Sequence, residues 1–247
     1  MKREQFLSEI IGSILFPYEA SKIYEEQIIG EFENEFEAKY FDDFLRALEG
    51  KGLILDLACG DGRHTQRLSE AADNVAALDL SLNNLRMAKK KCGKEMNVSF
   101  IRGSMCDLPF RQNIFDGIWF SQAFEYVPPD KREKVLFSIK YVLKSKGILY
   151  MSVETWMHPS VLASLKELWG DFKLYFYWKF IKRKPLLWGE FLYYLSSINV
   201  QGEYSGWHYH VHTDEWTLKR LLRRFEFKLL QLHFHEGYIY TLCKVEN

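Results

Sequence analysis

Gly52-Leu53-Ile54-Leu55-Asp56-Leu57-Ala58-Cys59-Gly60-Asp61-Gly62-Arg63-His64-Thr65 runs from an apolar stretch through two glycines into a polar segment. Leu53-Ile54-Leu55 has the character of a buried strand, Asp56 closes it, and Arg63 to Ala72 is helix-like, so the stretch predicts strand, tight turn, helix. Glycine at 60 and 62 permits positive φ and lets a ligand approach without meeting a Cβ, while the first N–H groups of the following helix point toward it. In an open α/β sheet, ligands bind in the crevice beyond the carboxyl end of the first strand. A dinucleotide fingerprint wants a third glycine where Thr65 stands, which argues against that ligand class. Asp56 suits a ligand with a cation at that point, such as the amino group of a methionine moiety.

Downstream, Asn74-Val75-Ala76-Ala77-Leu78-Asp79 is a second short buried strand that ends in an acid 17 residues beyond Gly62. A carboxylate in that place can accept hydrogen bonds from both hydroxyls of a ribose. Ser81 is placed to cap a helix running to Cys92. Asp56 through Gly62, with Ala58 and Gly60, resembles the first motif of the class I S-adenosylmethionine-dependent methyltransferases, and Asp79-Leu80-Ser81 resembles the second. The resemblance continues through Val98 to Gly103 as a third strand, Phe115 to Gln122 as a fourth and Ile148 to Val153 as a fifth, with a turn at Ser145-Lys146-Gly147 before the last.

This resemblance implies an α/β, Rossmann-like fold. Its seven-stranded sheet is mostly parallel, with helices on both faces and an antiparallel last strand. It implies S-adenosyl-L-methionine as cofactor, held by Asp56, Ala58, Gly60, Gly62, Asp79 and Leu80, with Ser121 and Gln122 at the methionine end. Family members usually carry an aspartate for the adenine amino group where Ser104 stands. Here the Ser104 hydroxyl, the backbone N–H of Met105 or Cys106, or Asp107 would serve instead. Glu125, Tyr126 and Glu154 would face the acceptor.

Lysine plus arginine equals aspartate plus glutamate at 33 each, so no global basic field points to nucleic acid. The distribution is uneven: residues 1–50 carry 5 basic and 12 acidic side chains, and 156–200 carry 6 and 3. Cys59, Cys92, Cys106 and Cys243 show neither disulfide nor metal-ligand spacing. With no signal-like start and no long apolar run, a cytoplasmic protein without stable membrane insertion is expected.

One domain in four stretches follows: a helical cap over 1–50, the cofactor-binding core over 51–155, an insert or substrate lid over 156–205, and the rest of the sheet over 206–247. Helices are predicted over 4–16 and 20–48, and Tyr18 or Tyr24 would close over the cofactor as the N-terminal segment does in many small methyltransferases. The insert holds 13 aromatic side chains. They fit the walls of a substrate lid, packing onto the domain, a homodimer surface, interfacial membrane contact or stacking on nucleic acid.

His208, His210 and His212 alternate along a predicted strand and share one face. Three ligands so close on one strand rarely converge on an ion, so no metal is expected, and His208 or His210 is a candidate base. The chain lacks the Asn/Asp-Pro-Pro-aromatic string of base-amino methyltransferases and the Pro-Cys nucleophile of cytosine C5 enzymes, which disfavours DNA. A small-molecule acceptor is expected. Transfer RNA is the alternative, because Trp207 to Leu218 resembles the tail of wobble-uridine transfer RNA methyltransferases. A non-catalytic partner subunit of the same fold is a third.

Overall fold

The computed structural model describes residues 2–8, 35–50, 52–93, 97–199 and 202–246. Five strands, β1 (Leu53–Leu57), β2 (Asn74–Asp79), β3 (Val98–Arg102), β4 (Phe115–Phe120) and β5 (Leu143–Glu154), pair in parallel. Two strands, β6 (Glu190–Asn199) and β7 (Gly202–Val211), form a separate antiparallel hairpin. The last two, β8 (Phe227–His235) and β9 (Tyr238–Val245), complete a seven-stranded sheet of order β3-β2-β1-β4-β5-β9-β8, with β9 antiparallel to both neighbours. This is the expected Rossmann-like α/β sheet. Strand order reverses between β1 and β4, which opens the ligand crevice at the carboxyl end of β1.

Central strands buried on both faces divide their side chains by the period of two. Leu55, Leu57, Ala76, Leu78, Ile118, Phe120, Leu149 and Met151 enter one cluster, with helices α4 (Arg132–Val142) and α6 (Glu215–Arg224) supplying Leu136, Ile139 and Leu222. Ile54, Val75, Trp119 and Tyr150 enter another on the opposite face, beneath α1 (Glu35–Ala47) and α2 (Arg63–Ala71). Helix α3 (Leu82–Cys92) packs Leu85 beside Ala77 on that second face. Helix α1 places Tyr40, Phe41 and Phe44 inward, and the rings of Phe41 and Phe44 meet Trp119 edge-on at 5.2 and 5.4 Å. Trp119 stacks on Tyr150 at 3.7 Å.

Of the sequence expectations, one is met where the residues are described and two change. Of the helices predicted over 4–16 and 20–48, residues 3–8 and α1 are helical, and 9–34 lie outside the described residues. Ser145-Lys146-Gly147 is no free turn but an irregularity inside β5: Lys146 has φ +63°, and the register with β4 jumps from Phe115↔Leu143 to Gly117↔Ile148. The histidine strand is β7 of the hairpin, not a strand of the large sheet. Its neighbour β6 begins at Glu190, whose fully buried carboxylate accepts from Arg3 at 2.7 and 2.9 Å and from the Tyr209 hydroxyl at 2.6 Å. A buried charge persists only when paired in this way. Arg132 ties the same end of the hairpin, through β7, to the core by donating to the Val211 carbonyl at 2.9 Å. All four cysteines are free thiols.

Gly62 precedes α2 at φ +85°, and a Cβ there would lie 2.7 Å from Ala88 of α3. Backbone conformation and helix approach both exclude a side chain. Gly62→Ala is expected to lose about 1–3 kcal/mol, measured by urea denaturation; an unchanged midpoint would contradict the packing described.

Candidate functional site

The β1–α2 turn is built from left-handed residues. Ala58, Gly60 and Gly62 have φ of 59°, 54° and 85°. This coil brings the Gly60 N–H to Asp79 Oδ2 at 2.9 Å, while the Ser81 N–H donates to Oδ1 at 2.8 Å and the Asn84 side-chain amide at 3.4 Å. Asp79 thus links the first two strand ends. Burial pushes its carboxyl upward, and the bonds from Ser81 and Gly60 pull it back only in part. A Cβ built on Gly60 would meet nothing within 4 Å, so the turn leaves open space at the crevice. Ser81 caps α3 as expected, accepting from the Asn84 N–H.

Asp56 ends inside the fold, and its Oδ2 accepts from the Thr65 hydroxyl at 2.6 Å. Burial raises its pKa to about 6, although His64 and Thr65 act the other way. Beside it, α1 contributes Glu37, a buried acid that sequence reading did not single out. Its oxygens meet His64 Nε2 and Arg63 at 3.3 Å each, and it also accepts from Ser121 Oγ. Burial alone would raise Glu37, but the bond and charge of His64, then Arg63 and Ser121, outweigh it and leave the carboxyl below its ordinary range. Ser152 on β5 accepts from the Gln122 N–H at 3.0 Å, which joins the ends of β4 and β5 beneath this network.

A second polar cluster lies at the carboxyl ends of β4 and β5, under the hairpin. Glu154 Oε2 meets His210 Nδ1 at 2.5 Å, and its Oε1 lies 3.6 Å from His212 Nε2. The other nitrogen of His212 bonds Asp171 Oδ2 of α5 (Val161–Phe176) at 2.8 Å. The two partners shift oppositely. Burial opposes both, but hydrogen bonds and charge win, so Glu154 falls to about 2 and His212 rises to about 10. Glu125, in the 3₁₀ turn Phe124–Tyr126, is buried nearby without a counter-ion bond. Among the described residues its Oε2 has no hydrogen-bond partner, and burial first, with the Glu154 charge second, raises its pKa to about 8. Tyr126 sets its ring perpendicular to His210 at 4.9 Å.

The sequence-derived residues therefore fall into two groups on one edge of the sheet. Asp56, Ala58, Gly60, Gly62 and Asp79 line the first crevice, with Ser121 and Gln122 at its β4 side. Leu80 beside Asp79 is exposed, and its carbonyl accepts from Arg102. Ser104 is occupied locally: its hydroxyl accepts from the Cys106 N–H at 3.2 Å and its carbonyl from the Asp107 N–H at 3.0 Å. Of the two N–H groups expected to serve a ring nitrogen, Cys106 is thus committed to this turn, which leaves Met105. Glu125, Tyr126 and His210 form the second group, while Tyr18, Tyr24 and the side chain of His208 lie outside the described residues. Among the described residues, Glu167, Asp171 and His212 bring ligand atoms within 4.8 Å of one another, but Asp171 and His212 already bond each other.

A family model described as a methyltransferase domain matches residues 54–147. The ubiquinone/menaquinone biosynthesis C-methyltransferase UbiE of Wigglesworthia glossinidia brevipalpis is 36% identical over 102 residues, 39% of this chain and 40% of that protein. A demethylmenaquinone methyltransferase of Renibacterium salmoninarum is 33% identical over 107 residues, 43% and 42% of the two chains. The chain thus covers less than half the length of either relative. Among solved structures, the 1,6-didemethyltoxoflavin-N1-methyltransferase of Burkholderia thailandensis matches with TM-score 0.64 at 16% identity, over 100% of this chain and 92% of that one. A DhpI complex matches with TM-score 0.65 at 21% identity, over 95% and 97%. The latter two likenesses show the fold alone.

The lone Glu125 carboxyl gives a test of this electrostatic description. With a folded pKa near 8 against an ordinary value of 4.5, it weakens the fold progressively as pH rises from about 4.5 to about 8. Glu125→Gln is expected to melt higher than the parent, by a margin that widens over that window and is flat above it. A margin independent of pH would contradict the assignment.

Proposed function

We propose, from a methyltransferase domain of the class I S-adenosylmethionine-dependent family over residues 54–147, that this chain transfers a methyl group from S-adenosyl-L-methionine to a small molecule whose reacting atom carries a proton. The crevice fits that cofactor. Gly60 presents open space, Asp79 retains acceptor capacity because a carboxylate has about four lone-pair positions, and Asp56 is a buried carboxyl that an incoming ammonium would stabilise. Asp56, Ala58, Gly60, Gly62, Asp79, Leu80 and Met105 would hold it, with Ser121 and Gln122 toward the methionine end. When bound, the cofactor supplies a methyl group already activated on a sulfonium.

The observation that carries the acceptor class is the Glu154–His210 pair. Glu154 is ionised at any ordinary pH and can only accept, so His210 carries its proton on Nδ1 and Nε2 is the basic nitrogen. The charged His212, pinned by Asp171, holds the other Glu154 oxygen and so fixes the pair. Such an arrangement suits removal of a proton from the acceptor, with Tyr126 packed against the base and Glu125 a neutral acid near pH 7 that can donate a hydrogen bond. The printed names of the relatives point to quinone-type carbon acceptors, but their likeness stays within the cofactor half. A phenolic, enolic or amine acceptor is supported equally by the base.

Labelled S-adenosylmethionine incubated with the chain and a panel of demethylquinones, phenols, amines and bulk transfer RNA tests this assignment. Transfer to a small molecule is expected, with His210→Gln lowering kcat by about 10²–10⁴ while affinity for S-adenosylhomocysteine stays unchanged. Label in transfer RNA alone, or unaltered turnover in the variant, would refute it.

A further inference from the structure

Helix α5 and the π-helical turn Tyr177–Ile181 that continues it carry their apolar stripe on the outside. Leu162, Leu165, Trp169, Phe172, Phe176 and Phe180 recur at three or four residues. At 3.6 residues per turn they share an arc of about 80°, and they are 78, 57, 60, 41, 47 and 57% exposed. Val161, Tyr177, Ile181 and Trp188 widen the patch. The inner side of the same segment is committed to the fold: Asp171 is buried against His212, and Trp178 is buried in an apolar cluster with Leu186, Leu192 and Tyr209, its indole N–H donating to the Leu192 carbonyl at 2.7 Å. A helix that only covers a core leaves its outer side polar. An apolar face of this size on a chain with equal numbers of acids and bases marks a contact surface.

Charge and side-chain type identify the partner. Lys166, Lys173, Lys182 and Arg183 are exposed along the segment, against Glu167 as its one exposed acid. Lys173 lies 6.0 Å from the Trp169 ring and Lys182 5.5 Å from the Tyr177 ring, so cations stand at the edge of the aromatic face. A second copy would also accept Trp and Phe, but pairing this face with itself would set Lys166, Lys173, Lys182 and Arg183 against like charges with Glu167 as the one exposed acid to offset them. Aromatic bodies framed by lysine and arginine match a headgroup boundary, where rings sit among the first acyl carbons and cations meet anionic phosphates. No described helix is long and apolar enough to cross a membrane, so the face would lie in the interface plane.

We propose that the outer face of α5 docks reversibly on an anionic lipid bilayer surface. This inference rests on the exposed face and its cations, not on the identity of the methyl acceptor. Docking would set the Asp171–His212–Glu154 cluster, which hangs from the inner face of the same helix, close to the membrane.

The test is co-sedimentation of the full chain with vesicles of phosphatidylcholine alone or mixed with phosphatidylglycerol, with tryptophan emission recorded in parallel. Expected are binding at least tenfold stronger to the anionic vesicles, weakening with salt, and a blue shift from Trp169 and Trp188. Trp169→Ser with Phe180→Ser should abolish both, and charge reversal at Lys166, Lys173 and Lys182 should remove the anionic preference. Both variants should keep the circular dichroism and the S-adenosylhomocysteine affinity of the parent. The proposal is overturned if the parent binds no vesicle, if the apolar variant binds as well as the parent, or if light scattering shows a dimer that the same pair of substitutions dissociates.

Discussion

One buried carboxylate, Asp79, sets the form of the crevice. Strand β2 ends at Asp79, and the acid reaches across to take the Gly60 N–H of the β1 turn while its other oxygen takes the Ser81 N–H at the start of α3. Two strand–turn–helix units are thereby registered to each other at the point where the sheet order reverses. The turn coils through three left-handed residues, Ala58, Gly60 and Gly62, as it presents the Gly60 N–H to β2. Gly62 completes the constraint by letting α2 approach Ala88.

At the adjoining strand ends, the electrostatics depend on pairing. Glu154 and His212 are both half-buried, yet Glu154 is held in its charged form by His210 first and His212 second, and His212 by Asp171 first and Glu154 second. Glu125 sits in the same cluster without such a bond and moves the other way, toward its neutral acid. Arg132 relieves it only in part. That guanidinium is spent on the Val127 and Val211 carbonyls, where it holds the hairpin over the site, and burial lowers it to about 10.

Local periodicity explains what was legible in the sequence. Strand β1, the glycine turn and α2 are contiguous, so an apolar run that ends at Asp56 and passes through two glycines into a polar, helix-like segment is visible without a structure, and an acid recurs as Asp79 at the end of the next strand. Glu37 was not legible as a site residue, because its partners Ser121 and Arg63 lie 84 and 26 positions away. His212 and Asp171 are separated by 41 positions and carry no shared motif. The boundary of the hairpin was missed for a related reason: strand pairing of Glu190 with Val211 is a property of two segments, and the histidine stretch read alone fits a strand of either sheet. Aromatic enrichment of the insert was plain, whereas the outward direction of its stripe depended on which side of α5 the buried Asp171 occupies.

Isothermal titration of the purified chain with S-adenosylhomocysteine, beside Asp79→Ala and with NAD as a control, tests the central claim most directly. Micromolar binding of S-adenosylhomocysteine, weakened at least about tenfold, or 1.4 kcal/mol, in the variant, and no heat from NAD, is the predicted result. A folded parent that binds neither ligand, or a variant that binds as tightly as the parent, would contradict the account of this crevice as a cofactor site organised by Asp79.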